Sequence, residues 1–166
     1  MSQVDRIAPR GAALSLTSAA FQPNQPIPAR HTCDGENVSP ALSWDGAPGT
    51  TQAFALIVDD PDAPKGVFTH WVLFDLPART RELRENSPTT ERLDQGGVQG
   101  RNDFGSIGYR GPCPPPGAPH HYRFTLYALD GPVHLDPGAS KQELLRAIEG
   151  RTVGQAQLVG TYQRQA

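Results

Sequence analysis

The sequence predicts a single, mostly β domain, and three observations support this fold class. First, 166 residues are enough for one hydrophobic core, and no repeat or linker divides the chain. Second, 17 glycines and 17 prolines favour many turns over long helices. Third, the segments between these turns are short and apolar or alternating, which is typical of strands. We therefore expect one domain over residues 1–166.

Four strands are expected in the first half of the chain. Residues 14–21 read LSLTSAAF and alternate at their start, and residues 38–46 read VSPALSWDG after a polar loop. Two longer segments follow, TQAFALIVDD at 51–60 and THWVLFDL at 69–76. Their continuous apolar, β-branched and aromatic content predicts interior strands.

The second half contains an irregular stretch, a strand, a helix and a closing strand. Residues 79–111 show little periodicity, and because structureless loops of this length are uncommon, short strands or a functional loop are expected there. HHYRFTLYALDG at 120–131 alternates between two faces. Residues 140–150 predict a helix that starts with a Ser-x-x-Glu capping box and ends at glycine. GQAQLVGTYQ at 154–163 predicts the last strand.

Charge and composition exclude several function classes. The 15 basic and 17 acidic side chains give a net charge of -2 without a basic cluster, so nucleic acid is not an expected partner. The N-terminus lacks the apolar region of a signal peptide, and no run approaches the roughly 18 apolar residues of a membrane span. We therefore expect a cytoplasmic protein without a membrane span. Cys33 and Cys113 are too few for a disulfide framework, although both lie in loop-like segments that could meet in space.

A cluster of acids follows the third predicted strand. Asp59, Asp60 and Asp62 lie in DDPDAP, where two prolines stiffen the turn, and His70 begins the next strand. Aspartate is common in turns because its carboxylate accepts hydrogen bonds from nearby backbone N–H groups. Each aspartate alone is therefore as consistent with turn structure as with function.

A second cluster, of histidines and a tyrosine, favours a functional interpretation of these aspartates. In GYRGPCPPPGAPHHYRF a proline-rich bend delivers His120, His121 and Tyr122 to the start of another strand. If the strands are neighbours, these side chains meet Asp60 and His70 at one rim. Imidazoles and a phenol donate to anion oxygens, a carboxylate holds a histidine and raises its pKa, and glycines let backbone N–H groups approach. The pattern predicts a small-anion pocket.

Two alternatives use the same residues. A metal site is disfavoured because His120 and His121 are adjacent and point to opposite faces of a strand, so we expect neither a metal nor a cofactor. A hydrolase would use the Asp60 and His70 pair with a hydroxyl or Cys113 as nucleophile, but no G-x-S-x-G elbow is present. The hydrolase is kept as the alternative function.

The order of the motifs DDPDAP, THWVLFDLPA and NDFGSIGYRGPCPPPGAPHHYRFTLYALD resembles the phosphatidylethanolamine-binding protein (PEBP) family, most closely its bacterial Raf kinase inhibitor-like branch. The resemblance extends from about residue 14 to 162 and includes CDGENVSPALSW and GQAQLVGTY. It implies a large central β-sheet packed on a smaller sheet with Greek-key topology, and short helices near the C-terminus.

The resemblance also implies a site without catalysis, for phosphate, acetate or phosphoethanolamine-like groups. The implied anion-binding residues are Asp60, His70, Gly111, His120 and Tyr122, with Pro64, Phe68 and His121 in the pocket wall. Relatives with an HRY motif have arginine where this chain has His121, so a strong bidentate donor is missing here.

Three further expectations complete the prediction. The resemblance implies a kinase or protease as protein partner and a homodimer, and it implies that Cys33 and Cys113 adjoin as a thiol pair, which requires a Cα separation below about 7 Å. Asp59 and Asp62 are expected to hold the turn through backbone hydrogen bonds. A histidine held by Asp60 is expected to have a raised pKa, so that anion affinity falls as the pH rises past that value.

Overall fold

The computed structural model describes residues 13–165. Within this range the chain forms eight strands and one α-helix: β1 Ser15–Thr17, β2 Leu42–Asp45, β3 Ala53–Asp60, β4 Phe68–Pro77, β5 Glu82–Leu83, β6 Val98–Gln99, β7 His120–Leu129, α1 Lys141–Ile148 and β8 Thr152–Tyr162. Each predicted strand segment contains an observed strand, and the irregular stretch 79–111 contains two short ones, β5 and β6.

The strands form two antiparallel sheets. The larger sheet has the order β6-β4-β3-β7-β8 and the smaller sheet the order β1-β2-β5. In the series β7-β3-β4-β6 the fourth strand along the chain returns beside the first, which is the Greek-key arrangement. The predicted mostly β class and two-sheet architecture are confirmed. Where several short helices were expected near the C-terminus, the described residues contain one, α1, besides a 3-10 turn far upstream at Ala29–His31.

The core explains why β3 reads as a continuous apolar run. All eight of its residues are buried because β3 lies in the middle of the larger sheet with both faces covered. Phe54 and Leu56 pack in one cluster with Trp44 of the smaller sheet, whereas Ile57 packs in a second cluster with Leu144 of α1. Each such side chain contributes about 1.5–3 kcal/mol when fully buried.

The helix α1 begins at the predicted capping box. The Ser140 hydroxyl accepts a hydrogen bond from the Glu143 backbone N–H, and the Glu143 carboxylate accepts one from the Ser140 backbone N–H at 2.9 Å. Leu144 and Ile148 are buried against the larger sheet, while Leu145 is 37% exposed. The helix thus covers one outer face of this sheet.

The antiparallel pairing also determines where the predicted site residues meet. Asp60 at the end of β3 lies opposite Phe68 at the start of β4, and Asp59 lies opposite Arg123 near the start of β7. The end of β3 and the starts of β4 and β7 therefore share one end of the sheet. His70 and His120 are brought to the same rim, although 50 residues separate them in the sequence.

Candidate functional site

A cavity of about 240 Å³ opens at this end of the larger sheet. It has a polar floor, which consists of Asp60, His70, His120 and Tyr122, and an apolar wall, which consists of Ala63, Pro64, Phe68, Phe104, Cys113, Pro114 and Pro115. All four floor residues are buried. The volume is below that of sites for drug-sized ligands and suits a small chemical group.

Asp60 and His120 form a pair on the floor. The His120 Nδ1 lies 2.7 Å from Asp60 Oδ2, and the other carboxylate oxygen, Oδ1, accepts a hydrogen bond from the Asp62 backbone N–H at 2.7 Å. Because a carboxylate accepts hydrogen bonds, the proton of neutral His120 lies on Nδ1. The histidine that Asp60 holds is thus His120, and the expected Asp60 and His70 pair is corrected.

His70 has a different partner. Its Nδ1 donates a hydrogen bond to the Arg110 carbonyl oxygen at 2.7 Å. Burial lowers the pKa of His70 and outweighs the opposing effects of that carbonyl and of the Asp60 charge. The expectation of a raised pKa therefore does not hold for His70, and its neutral form is favoured near neutral pH.

Tyr122 lies between the two histidines. Its ring meets that of His70 edge-on at 5.3 Å and stacks on that of His120 at 6.5 Å. Burial, assisted by the Asp60 carboxylate, raises the pKa of the Tyr122 phenol. The phenol consequently keeps its proton and can donate it in a hydrogen bond to a bound oxygen.

The apolar wall includes Phe104, which the sequence analysis missed. Its ring packs edge-on against Phe68 at 4.8 Å and His70 at 5.5 Å, and the Arg110 guanidinium lies 4.5 Å from its centre. The buried Asn102 fixes this loop by accepting hydrogen bonds from the Phe104 backbone N–H at 3.0 Å and from Ser106. The only signal in the sequence was the long aperiodic stretch 79–111.

The other side of the wall is the proline-rich segment. Cys113 forms a disulfide with Cys33, with Cα atoms 5.4 Å apart, so these two loops adjoin. The Cys33 backbone N–H also donates to the Pro112 carbonyl at 3.0 Å. Because Cys113 is in a disulfide, it offers no thiol nucleophile to the cavity.

Two predicted residues, Gly111 and His121, do not line the cavity. The Gly111 backbone N–H donates to Asn37 Oδ1 at 2.7 Å, and a Cβ at Gly111 would clash with the His31 carbonyl oxygen, so this glycine serves close packing. The His121 side chain is exposed and its Nδ1 lies 2.7 Å from Asp62 Oδ2. This hydrogen bond, supported by one from the His121 backbone N–H, lowers the pKa of Asp62.

The roles expected for the acid cluster are also redistributed. Asp59 does not hold the turn; it faces the opposite side of the sheet and accepts hydrogen bonds from Arg123 Nε and Lys141 Nζ, each at 2.8 Å. Burial acts to raise the pKa of Asp59, but these two cations outweigh it and hold the pKa below its usual value. The backbone hydrogen bond of the turn is made by Asp60, and Asp62 accepts its backbone bond from β7 instead.

Residues 13–165 contain no group of three or more His, Cys, Asp or Glu side chains that could hold a metal ion. No helix in this range is long and apolar enough to cross a membrane.

Comparison with known proteins identifies relatives of this chain. Residues 17–163 match the family model of the phosphatidylethanolamine-binding protein. The chain belongs to this family. It is 55% identical over 151 residues to a UPF0098 protein of Methanothermobacter thermautotrophicus, covering 91% of this chain and 99% of that protein. It is 44% identical over 156 residues to a UPF0098 protein of Aquifex aeolicus, covering 93% and 91%.

Two solved structures share the PEBP fold. CT736 of Chlamydia trachomatis, described as a PEBP homologue, superposes with a TM-score of 0.84 at 38% identity, covering 92% of this chain and 98% of that one. YbcL of E. coli, described as a new member of the mammalian PEBP family, gives a TM-score of 0.84 at 33% identity, covering 93% and 100%. The family and fold expected from the sequence are confirmed.

Proposed function

We propose that this PEBP-family protein binds a small oxyanion, such as phosphate, acetate or the phosphoryl group of phosphoethanolamine, and does not turn it over. One observation carries the proposal: the imidazoles of His70 and His120 and the phenol of Tyr122 converge on one small cavity. Both Nδ1 atoms are engaged by other groups, so each ring offers its Nε2 to a ligand.

The size and wall of the cavity support a ligand with a small head group. About 240 Å³ accommodates a phosphoryl or carboxylate group with a short substituent, whereas drug-sized ligands need roughly 300–1,000 Å³. Phe68 and Phe104 give such a substituent an aromatic surface. Aromatic faces also attract ammonium groups, as in phosphoethanolamine.

Calorimetry with phosphoethanolamine tests this function. His120→Ala is expected to weaken binding by at least about tenfold, because a buried hydrogen-bonding group is lost. His121→Ala is the matched control, since it removes the neighbouring imidazole outside the cavity and should leave the affinity unchanged. An unchanged affinity in the His120 variant, or an equal loss in both variants, would contradict the assignment.

The hydrolase is a second candidate because the Asp60 and His120 pair has the geometry of a general base and its orienting carboxylate. Cleavage would need water as the nucleophile, since Cys113 is in a disulfide and no serine or threonine is among the cavity-lining residues described. Asp60→Asn removes the carboxylate and is the control. Ester or phosphoester turnover above that variant would favour the hydrolase, and equal rates would remove it.

A kinase or protease partner, a homodimer and a cytoplasmic location stay predictions. Inhibition assays with wild type and His120→Ala would show whether a partner's inhibition depends on the cavity, and light scattering would give the oligomeric state. The disulfide bears on location, because disulfides are rare in reducing cytosol outside hyperthermophiles. Thiol counting on protein trapped in whole cells tests this, and two free thiols would support the cytoplasmic prediction.

A further inference from the structure

We infer that the cavity selects oxyanions that carry their own acidic proton, such as phosphomonoesters, over oxyanions that have none, such as sulfate esters and phosphodiesters. This rests on the proposed anion binding at the same site and specifies its ligand class. The basis is that both histidines are fixed in the tautomer that presents a lone pair, rather than an N–H group, to the cavity.

The tautomer of His70 is determined by the Arg110 carbonyl. A carbonyl oxygen only accepts hydrogen bonds, so the 2.7 Å contact with His70 Nδ1 requires the proton on that nitrogen. The carbonyl is itself held in place, because the Arg110 backbone N–H donates to the His70 carbonyl and the next N–H, of Gly111, donates to Asn37. The Nε2 of neutral His70 is consequently an acceptor.

The tautomer of His120 is determined by Asp60 in the same way. The carboxylate accepts from Nδ1, so in the neutral form of His120 the Nε2 is a second acceptor. Neither Nε2 has a hydrogen-bond partner among the described residues. In this part of the chain, only Trp44 Nε1 and Thr51 Oγ1 are side-chain atoms that are both buried and without a partner. The two Nε2 atoms are unpartnered but do not belong to this set, so they are not buried. Both Nε2 atoms are therefore accessible from the cavity.

The cavity lining has no cationic side chain that would offset the repulsion between an anion and the Nε2 lone pairs of neutral His70 and His120. The lining contains no lysine or arginine, and its donor is the phenol of Tyr122. The groups that act on His70 are the carboxylates of Asp59, Asp60 and Asp103 and the Arg110 carbonyl. The rings of Phe68, Phe104 and Tyr122 pack against it, and the Arg110 guanidinium lies over Phe104. A fully ionised oxyanion would meet the lone pairs of the neutral imidazoles and a nearby carboxylate.

A phosphomonoester resolves this mismatch. Its second ionisation has a pKa of about 6, so near neutral pH part of it carries one P–OH group. That hydroxyl donates to an imidazole Nε2, and the ionised oxygens accept from Tyr122. A sulfate ester or a phosphodiester has no such proton and requires an imidazolium, which burial disfavours at His70.

Methyl phosphate and methyl sulfate test the inference, because the singly charged forms have nearly the same shape and differ by one proton. By calorimetry at about pH 6.5, methyl phosphate is expected to bind at least about tenfold more tightly, since a ligand without the proton leaves a buried acceptor unpaired. Above its second pKa its affinity should fall by about tenfold per pH unit, because the binding form is depleted.

Asp60→Asn provides a variant with the opposite expectation. The introduced amide must accept from the Asp62 N–H through its oxygen, so its NH2 group faces His120 Nδ1 and moves the ring proton to Nε2. The variant should therefore gain affinity for methyl sulfate relative to methyl phosphate. Circular dichroism and thermal unfolding establish that the variant is folded before the ratio is measured.

The possible outcomes separate this inference from the proposed function. If methyl sulfate binds within about threefold of methyl phosphate at every pH, imidazolium supplies the donors and the inference is overturned, while anion binding stands. If phosphate, phosphoethanolamine and both methyl esters all fail to bind, the proposed function and the inference are overturned together.

A final pair of ligands distinguishes the sources of the phosphoryl group. Phosphoethanolamine is a monoester, whereas glycerophosphoethanolamine, the head group of an intact phospholipid, is a diester. Tighter binding of phosphoethanolamine by about tenfold or more near pH 7 would support a free phosphomonoester as ligand. Equal or tighter binding of the diester would overturn the inference.

Discussion

Asp59 and Asp60 are adjacent in the sequence and lie on opposite faces of the larger sheet, where they have opposite kinds of partner. Asp59 accepts from Arg123 and Lys141, so each of its oxygens has a cation. Asp60 accepts from a backbone N–H and from the Nδ1–H of His120, whose Nε2 is left for the cavity.

The two aspartates show how a structural cluster differs from a candidate binding site. The difference is whether hydrogen-bonding atoms of the cluster are left without a partner in the protein. Around Asp59 the charges are balanced within the protein, which stabilises the contact between β3, β7 and α1. The Asp60 carboxylate orients the His120 imidazole and forms no ion pair with a lysine or arginine of the described residues. The cavity face therefore has imidazole nitrogens available for a ligand, whereas both Asp59 oxygens are already paired with cations.

The largest expected effect concerns how the cavity face is held. Five of the residues 112–119 are prolines, which have no backbone N–H, so hydrogen bonds can hold this segment only weakly. The Cys33–Cys113 disulfide closes a separation of 80 residues, for which loop entropy predicts about 4 kcal/mol of stabilisation. Urea unfolding of a Cys33→Ser, Cys113→Ser double variant should show this loss.

Reduced wild type is the control for the disulfide prediction and should match the double variant. A loss below about 1 kcal/mol would show that other contacts hold the proline-rich wall. The ion-pair face offers a second check, because Asp59→Asn should lower the stability of the oxidised and reduced protein by the same amount if the faces are independent.

The next effect compares the two aspartates directly. Asp59→Asn leaves Arg123 and Lys141 facing each other without a carboxylate, and because both are partly exposed, we expect a loss of about 2 kcal/mol in unfolding free energy. Phosphoethanolamine affinity should not change. Asp60→Asn should alter ligand affinity, as measured by calorimetry on both variants. If Asp59→Asn weakened binding as strongly as Asp60→Asn, the two faces would not be separate.

The faces should also differ in pH dependence. Since the pKa of folded His70 is lowered, the unfolded chain takes up a proton first, and stability falls as the pH drops from about 6.5 through the folded pKa. The pKa of Asp59 is lowered too, so its contribution is lost only as the pH falls below about 3.8. Urea unfolding of wild type and His70→Gln against pH measures this.

A slope below about pH 6.5 that survives in His70→Gln would assign the proton uptake to another group. Tyr127, which lies on the ion-pair face with a pKa raised by burial, does not titrate in this range and offers a neutral control as Tyr127→Phe. That variant should keep the slope of wild type.

Local sequence patterns predict some features of the two faces but not others. Period-two alternation in β7 correctly assigned Tyr122 and Phe124 to one face, and the capping box located α1. Strand pairing then brought His70 and His120 together as predicted. The family resemblance indicated Asp60 as the pocket carboxylate, but no local pattern showed the partners of Asp59, because one of them is Lys141, which is 82 residues away.

Two other features depend on tertiary contacts without local signatures. The site of Phe104 follows from the Asn102 hydrogen bonds within an aperiodic loop. The tautomer of His70 follows from a carbonyl 40 residues away. Motif reading places side chains near each other, but the proton positions that determine ligand choice require the folded backbone.

The smallest expected effect concerns the apolar wall. Phe104 is 37% exposed, so Phe104→Ala should change stability by about 1 kcal/mol or less. Its ring nonetheless lines the cavity, and the loss should weaken phosphoethanolamine binding by about threefold to tenfold, because methylene and ammonium groups lose an aromatic contact. Inorganic phosphate has no such groups and should bind unchanged.

Val67→Ala, at an exposed position outside the cavity, is the matched control in calorimetry with both ligands. A parallel loss for phosphate would mean that Phe104 acts by positioning His70, which it contacts at 5.5 Å, rather than by contacting the ligand.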